Sequence, residues 1–415
     1  MNTDVPSRRS TLILAALTGL NLLDYLDRQL LAAVLTPLKN EMGLSDEQLG
    51  TLQSAFMLGY FITAPLFGYL GDRWPRRWLI AAGVLVWSLG TLFSGHANTL
   101  GLLIFFRVLV GLGEASFGTI SPGLIADLFS PLKRNLAISI FYVAIPVGSA
   151  LGFIAGSTIA AHYGWRSAFL WAGYPGVAVA LFLLFLPEPE RGAAETVPVT
   201  PVRGGWRVYT ALLHLPNYNL VVAGYAAQTF AMGGFVLWAP TFLHRVHQMD
   251  FARAGQFFGA ALVITGLLAT LVGGWLSTRW QRRHAAGYAW VLALSAVAVV
   301  PLGFGAFLLP NAALALAAMV GAMFLLFIPT GPINTLLLET VPVPMRASGM
   351  AASIFAIHCF GDLWSPKIVG MISDRTGSLQ QAVLILPFAL IVAAAFWLWL
   401  AWRQSRTVRV ESAAS

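Results

Sequence analysis

The sequence is poor in charged residues and nearly free of cysteine. Asp, Glu, Lys and Arg make up 10% of its 415 residues, and 58% are hydrophobic. A soluble domain carries about 25% charged residues, so this composition excludes an ordinary soluble enzyme. The single cysteine, Cys359, cannot form an internal disulfide, and no Cys/His set has zinc spacing. We expect neither a disulfide nor a metal site.

Several motifs of membrane enzymes and pumps are also absent. The sequence has no Gly-x4-Gly-Lys-Ser/Thr phosphate loop, no Gly-x-Ser-x-Gly elbow and no His-Glu-x-x-His. A pump driven by ATP and a membrane esterase or protease are therefore not expected. No cofactor is predicted.

Long apolar stretches dominate the chain, whose mean hydropathy is +0.74. A helix that crosses the bilayer needs about 20 apolar residues. Twelve such segments lie at 11–38, 48–71, 77–97, 99–128, 135–162, 166–186, 217–244, 253–277, 285–309, 312–340, 347–373 and 380–402. The first segment lacks the cleavage site of small residues that ends a signal peptide, so we expect it to remain in the protein as a helix. This layout predicts an all-α membrane protein with six-helix bundles at 1–186 and 217–415, joined by a linker at 187–216.

The basic residues indicate an orientation. Of the 25 Lys and Arg residues, 17 lie in the tails, the linker and the loops of one side, and five lie on the other side. The remaining three, Arg28, Arg107 and Lys367, fall within spans. The positive-inside rule places both termini and the linker in the cytoplasm. The net charge of +8 is thus explained without nucleic acid.

An internal repeat supports two related bundles. The stretch from Gly68 to Arg77 matches the stretch from Gly274 to Arg283 at six of ten positions, about half the chain apart. It predicts two bundles related by an axis along the membrane normal, with a cavity near the midplane. We interpret the first copy, together with Asp127 at the end of span 4, as a cytoplasmic gate. The simpler interpretation is that its basic residues only orient the chain by the positive-inside rule. The predicted gate residues are Gly68, Gly71, Asp72, Arg73, Arg76, Arg77 and Asp127.

These motifs resemble those of a known family. The first copy of the repeat is similar to the loop 2–3 signature of the major facilitator superfamily, and Arg107-x-x-x-Gly111 is similar to its span-4 element. More narrowly, three segments resemble those of the Spinster family of lipid and sphingolipid transporters: Asp24–Arg28, Gly111–Phe129 and Phe360–Pro366. The resemblance implies a twelve-span transporter with the major facilitator fold and a lysophospholipid-like or sphingoid substrate.

Charged residues inside spans 1 and 4 need partners or a function, because each costs at least about 2.5 kcal/mol at the centre of a membrane helix. Asp24, Asp27 and Arg28 stand at i, i+3 and i+4 and share one face of span 1. Arg107 and Glu114 are two turns apart on span 4. A structural salt-bridge network is one interpretation. The excess of acids over bases favours the other, in which one carboxylate takes up a proton.

The sequence assigns specific roles to these residues. Arg28 is the best candidate for an anionic head group, because a guanidinium binds phosphate or carboxylate in bidentate fashion. Glu114 lies mid-span beside Gly111 and Gly113, whose small size predicts room for a cavity. The predicted proton-coupling residues are Glu114, Asp27, Asp24, Asp362 and His358. The predicted substrate-binding residues are Arg28, Glu114, Arg107 and, on the proline-kinked span 10, Asn334.

Together these features predict a secondary transporter, driven by protons, that moves an amphipathic anionic substrate by alternating access. It should act as a monomer in the lipid bilayer of a bacterial inner membrane. A proton symporter of small organic anions is the alternative within the class. An uncoupled channel or lipid scramblase is the alternative outside it. A membrane sensor would be expected to carry a soluble output domain, and no segment is long enough for one.

Overall fold

Helices form all the regular structure in the described part of the chain. A computed structural model describes residues 8–71, 73–129, 131–185, 188, 207–284, 286–342 and 345–414. Its helices are α1 (Arg8–Met42), α2 (Asp46–Gly71), α3 (Arg76–Ser94), α4 (Leu100–Leu128), α5 (Pro131–Tyr163), α6 (Trp165–Leu183), α7 (Arg207–Leu213), α8 (Pro216–Arg245), α9 (Phe251–Gln281), α10 (Gly287–Leu308), α11 (Ala312–Phe327), α12 (Thr330–Glu339), α13 (Arg346–Ile357), a π-helical turn (His358–Asp362), α14 (Ser365–Thr376), α15 (Leu379–Ala382) and α16 (Ile385–Ala414).

Most of the helices can cross a bilayer. Within the described residues, ten helical segments are long and apolar enough to span a membrane. Two predicted spans are not among them. The first corresponds to α1, which carries Asp24, Asp27 and Arg28 in mid-helix. The eleventh is divided into α13, the π-helical turn and α14, each too short alone. With these two, the segments match the twelve predicted spans.

The chain divides into two compact units, of which the first comprises Met1–Pro201 and Met249–Ala260. In this unit α1 packs along α5, and α4 packs along α2 and α3. Glycines on α5 permit the first of these contacts: a Cβ atom at Gly152 would lie 2.9 Å from Gln29 Cβ. The small residues of α5 therefore allow close packing on α1.

The beginning of α9 also belongs to the first unit. Gln256 Nε2 donates a hydrogen bond to Thr158 Oγ1 of α5 at 2.9 Å, and the Phe153 and Phe258 rings pack edge to face at 4.9 Å. These contacts explain why Met249–Ala260 groups with α1–α6. Of the predicted linker, the structure describes position 188 and positions from 207 onward. The rest of the linker lies outside the described residues.

The second unit comprises Val202–Gln248 and Ala261–Ser415. Its core lies where α8, α10 and α16 pack together, around the buried side chains of Val221, Leu292 and Trp397. Trp397 Nε1 donates a hydrogen bond to the Val221 carbonyl at 3.3 Å. Leu212 of the short helix α7 is buried in the same core.

Span 11, predicted as one apolar segment at 347–373, contains a break in its helix. The chain leaves α-helical geometry at Gly361 (φ −106°, ψ −105°), within the π-helical turn. A Cβ atom at Gly361 would lie 3.0 Å from the Ala226 carbonyl oxygen, so glycine lets α8 approach the turn closely. Hydropathy marks span 11 as one apolar segment, and it shows neither this close contact with α8 nor the break in the helix before Pro366. Turns of this kind are frequent at functional sites.

Candidate functional site

Five charged side chains meet inside the first unit. Asp24, Asp27 and Arg28 come from one face of α1, and Arg107 and Glu114 come from α4. Four of the five are buried, with relative exposures of 2% for Asp24, 4% for Asp27, 1% for Arg107 and 0% for Glu114. The structure thus brings together the charged residues that the sequence predicts for spans 1 and 4. We refer to these five residues as the charged cluster.

Arg28 is the residue that joins the two helices. Its Nε lies 2.7 Å from Glu114 Oε2, and its Nη2 lies 3.4 Å from Asp24 Oδ2. The intrahelical pair between Asp24 and Arg28 has the i, i+4 spacing expected from the sequence. The Arg28 side chain is 19% exposed, so it lies at the edge of the cluster while its two acidic partners are buried.

The two acidic partners of Arg28 each keep one oxygen without a hydrogen bond. Asp24 Oδ1 and Glu114 Oε1 are buried, and no donor among the described residues reaches either of them. An ionised carboxylate can only accept hydrogen bonds, whereas a protonated carboxyl group carries an O–H of its own. Arg28 therefore pairs with two buried acids, each of which has an oxygen that no protein donor satisfies.

Asp27 has a separate partner that sequence reasoning missed. Thr91 of α3 donates a hydrogen bond through Oγ1 to Asp27 Oδ2, and both side chains are buried. Thr91 lies 64 positions from Asp27. It is an uncharged residue in an apolar span, so nothing in the local pattern distinguishes it from a threonine that bonds to its own helix.

Arg107 is buried in a different way from Arg28. None of the described residues accepts a hydrogen bond from its Nε, Nη1 or Nη2. Its guanidinium carbon lies 4.9 Å from the centre of the Phe56 ring. Arg107 was predicted to bind substrate, but in this structure it is 1% exposed and lies beside an aromatic ring rather than at a surface.

Aromatic rings surround Arg28 as well. Its guanidinium carbon lies 4.7 Å from the ring centre of Tyr25, 5.0 Å from that of Tyr60 and 5.5 Å from that of Phe56. Cations within about 6 Å of a ring centre are attracted to the ring face. These rings fix the guanidinium plane from several sides, and none of them was singled out from the sequence.

The glycines beside Glu114 do not leave a cavity. A Cβ atom at Gly111 would lie 2.8 Å from the Tyr60 backbone nitrogen, and one at Gly113 would lie 2.6 Å from the Trp87 backbone nitrogen. The space beside both glycines is filled by α2 and α3. The prediction of room for a cavity at this point was therefore wrong: the small residues allow close helix packing, which buries Glu114 completely.

The second unit contains another candidate pair. His358 Nδ1 lies 3.0 Å from Asp362 Oδ1 across the π-helical turn, and the two side chains are 29% and 20% exposed. Asn334, predicted to bind substrate, lies in this unit on α12. It is exposed, and its Nδ2 donates a hydrogen bond to the Thr330 carbonyl of its own helix at 2.8 Å.

The predicted gate lies at the ends of α2, α3 and α4. Arg76 Nη1 lies 2.6 Å from Asp127 Oδ2, and the Arg76 backbone N–H donates a hydrogen bond to Glu188 Oε1 at 2.7 Å. Arg76 is buried, whereas Arg73 is exposed and donates to the Tyr69 carbonyl.

The other predicted gate residues make lesser contacts. Arg77 lies over the Trp78 ring, at 5.5 Å from its centre. Gly71 packs against Ile120 of α4, and Gly68 faces Thr119 of the same helix. Asp72 lies outside the described residues.

Comparisons with known proteins identify the family. Residues 17–366 match the Major Facilitator Superfamily. Protein spinster homolog 1 of Rattus norvegicus is 36% identical over 400 residues, which cover 90% of this chain and 75% of the relative. The chain is a member of the Spinster family within the major facilitator superfamily. The family predicted from the sequence is therefore confirmed.

Solved structures agree on the fold. The crystal structure of a bacterial homolog to human lysosomal transporter, Spinster, in an inward-facing and unoccupied conformation has a TM-score of 0.87 to this chain at 24% identity, and the match covers 97% of this chain and 98% of that one. A D-xylose-proton symporter has a TM-score of 0.73 at 17% identity, with 95% and 96% coverage. The all-α major facilitator fold is confirmed. This Spinster-family protein is an integral multi-pass membrane transporter of a small molecule, and not an enzyme.

Proposed function

We propose that this Spinster-family protein is a proton-coupled transporter that moves an amphipathic anionic substrate by alternating access. The observation that carries the proposal is the position of Arg28 between Asp24 and Glu114, two buried carboxyl groups that pair with the same guanidinium. With three acids and two arginines, the charged cluster is balanced when one acid is protonated. A buried cluster without net charge avoids the large cost of an unpaired charge.

Coupling follows from competition for Arg28. Glu114 Oε2 occupies Nε of Arg28 at 2.7 Å, and the partly exposed side of the guanidinium is available to an incoming anion. When Glu114 takes up a proton, its attraction for Arg28 falls, and an anionic head group replaces it with less competition. Proton and anion therefore favour each other's binding, and by linkage the effect is reciprocal.

An apolar surface in the second unit supports an amphipathic substrate. An open groove of about 560 Å³ lies among α8, the π-helical turn and α16, with Phe360 and Phe388 exposed in its lining. Its lining residues are all apolar: Ala223, Ala226, Ala227, Phe230, Phe360, Ile385, Phe388, Ala389 and Val392. A hydrocarbon chain can bury its apolar surface against such a lining, whereas a small organic anion has no such surface to bury. The same proposal places both termini in the cytoplasm and the monomer in a bacterial inner membrane.

The proposal can be tested in proteoliposomes with two anions that differ in their tails. Lysophosphatidylglycerol has a head group and a chain, and succinate has carboxylates alone. We expect an imposed pH gradient to drive accumulation of the lysolipid and not of succinate. Accumulation of succinate alone would support the organic-anion symporter. Flux of either without counterflow would support an uncoupled channel or scramblase.

A further inference from the structure

Phe56 has an unusual position between the two arginines of the charged cluster. The guanidinium carbon of Arg28 lies 5.5 Å from the centre of its ring, and that of Arg107 lies 4.9 Å from the same centre. The ring is 1% exposed, so both contacts are shielded from water. One aromatic ring thus contacts two cations that come from different helices.

The backbone holds this ring in place. Phe56 lies on α2, and its carbonyl oxygen is directly opposite Gly111 of α4, where any Cβ atom would overlap it. Because glycine lets α2 approach α4 this closely, the Phe56 side chain reaches the space between Arg28 and Arg107. The Tyr60 ring, one turn further along α2, lies 6.3 Å from that of Phe56 and also faces Arg28.

The two arginines use the ring differently. Arg28 also has an ion pair with Glu114 at 2.7 Å, so the ring adds to bonds that already exist. Arg107 has no hydrogen-bond acceptor among the described residues, so its guanidinium is held by the ring face and, through space, by the charges of Asp27 and Glu114. A cation over a ring face is attracted to the ring without pairing a particular N–H group with a particular acceptor. The ring can therefore hold a guanidinium in place while leaving it without a hydrogen bond to any one carboxylate.

We propose that Phe56 is a positioning residue for proton coupling: its ring keeps Arg107 within the charged cluster without a hydrogen bond to a carboxylate and directs Arg28 to Asp24 and Glu114. The inference rests on the proposed proton-coupled function. Without the ring, Arg107 would move to the nearest acid and compete with the proton there. The titratable groups around the two arginines are Asp24, Tyr25 and Asp27 on α1, Tyr60 on α2, Glu114 on α4 and Tyr142 on α5.

Two changes at position 56 separate the electrostatic attraction of the ring for cations from its packing. Phe56→Leu removes the ring, and 3,4,5-trifluorophenylalanine at position 56 retains the ring but removes its negative face. Phe117→Leu is the matched control, because Phe117 is an equally buried ring of the first unit that packs against Trp87 and Phe141. Each variant is reconstituted, and lysophosphatidylglycerol uptake is measured against pH together with exchange at zero gradient.

We expect Phe56→Leu to shift the midpoint of the pH profile by about one unit and to lower pH-driven accumulation about tenfold, with a smaller loss of zero-gradient exchange at saturating lysolipid. The fluorinated protein should shift in the same direction. Phe117→Leu should lower both activities together without moving the midpoint. An unchanged midpoint in the fluorinated protein would overturn the inference, and that protein decides the matter if Phe56→Leu does not fold.

Failure of the proposed function gives a different result. If the unchanged protein shows no pH-driven accumulation, the proposed function is wrong whatever the variants do. The role of Phe56 is then read from binding of lysophosphatidylglycerol by isothermal titration. An affinity lowered about tenfold in the fluorinated protein supports positioning of Arg28, and an unchanged affinity contradicts it.

Discussion

Glu114 Oε2 accepts a hydrogen bond from Arg28 Nε at 2.7 Å, although the two residues lie on different helices and 86 positions apart in the sequence. Glu114 is fully buried and Arg28 is partly exposed. The pair therefore connects a site that an anion can reach with a carboxyl group that is shielded from water. This connection is the basis of the proposed coupling and of the predictions below.

Replacement of Arg28 should separate anion binding from charge balance. Arg28→Ala should abolish binding of lysophosphatidylglycerol, and Arg28→Lys should bind at least about tenfold more weakly, since lysine lacks the bidentate fork. Isothermal titration of the purified protein measures both. If Arg28 only neutralises acids, the double change Arg28→Ala with Asp24→Asn should restore transport, and recovery in that variant would establish the structural role.

Thr91 should matter through the hydrogen bond to Asp27. Thr91→Val has nearly the same shape but leaves a buried carboxylate oxygen without its donor, which costs about 1–3 kcal/mol. We expect a lower unfolding temperature and weaker pH-driven uptake. Thr91→Ser restores the hydroxyl and should recover both properties. Equal losses in the serine and valine variants would mean that the methyl group, not the hydrogen bond, is what this position requires.

The ion pair between Arg76 and Asp127 should act as part of a gate. Arg76→Gln, Asp127→Asn and the double change form a cycle, and we expect a coupling of about 1–3 kcal/mol in the apparent free energy of unfolding. Transport should fall while lysolipid binding survives. Arg73→Gln is the control, because Arg73 is exposed and bonds to its own helix. Loss of binding in the Arg76 variant would contradict a gating role.

The orientation of the chain can be tested by labelling. After Cys359→Ala, a cysteine at Asn98 should react with a membrane-impermeant maleimide added outside intact cells, and a cysteine at Glu195 should not. The reason is the excess of Lys and Arg on the linker side. Labelling with the opposite pattern would reverse the predicted topology.

The fold and the membership of the cluster could be predicted from the sequence, because both depend on regular spacing. The apolar runs give the spans, and the i, i+3, i+4 spacing of Asp24, Asp27 and Arg28 gives one charged face. A charge inside an apolar span is also rare enough to be noticed. This is why Arg107 and Glu114 could be assigned to the same region from sequence.

The partners of the cluster could not be predicted, because they depend on packing between helices. Phe56 is one of 27 phenylalanines, and Thr91 resembles other threonines in spans. From the sequence, Gly111 and Gly113 predict room for a cavity. In the structure, their lack of a side chain lets α2 and α3 pack closely against α4. The break at Gly361 coincides with a close contact with α8 and is followed by Pro366 in the first turn of α14, and of these two features the contact with α8 could not be predicted from the sequence.

The role of Glu114 in coupling is tested by a comparison of pH-driven uptake with zero-gradient exchange in Glu114→Gln vesicles. Glutamine mimics the protonated acid, so the variant should bind and exchange lysophosphatidylglycerol but should not accumulate it against its gradient. Glu339→Gln, at an exposed glutamate of the second unit, should retain both activities. Full pH-driven accumulation by Glu114→Gln would contradict the assignment of Glu114 as the coupling residue, and loss of both activities would show that its role is structural.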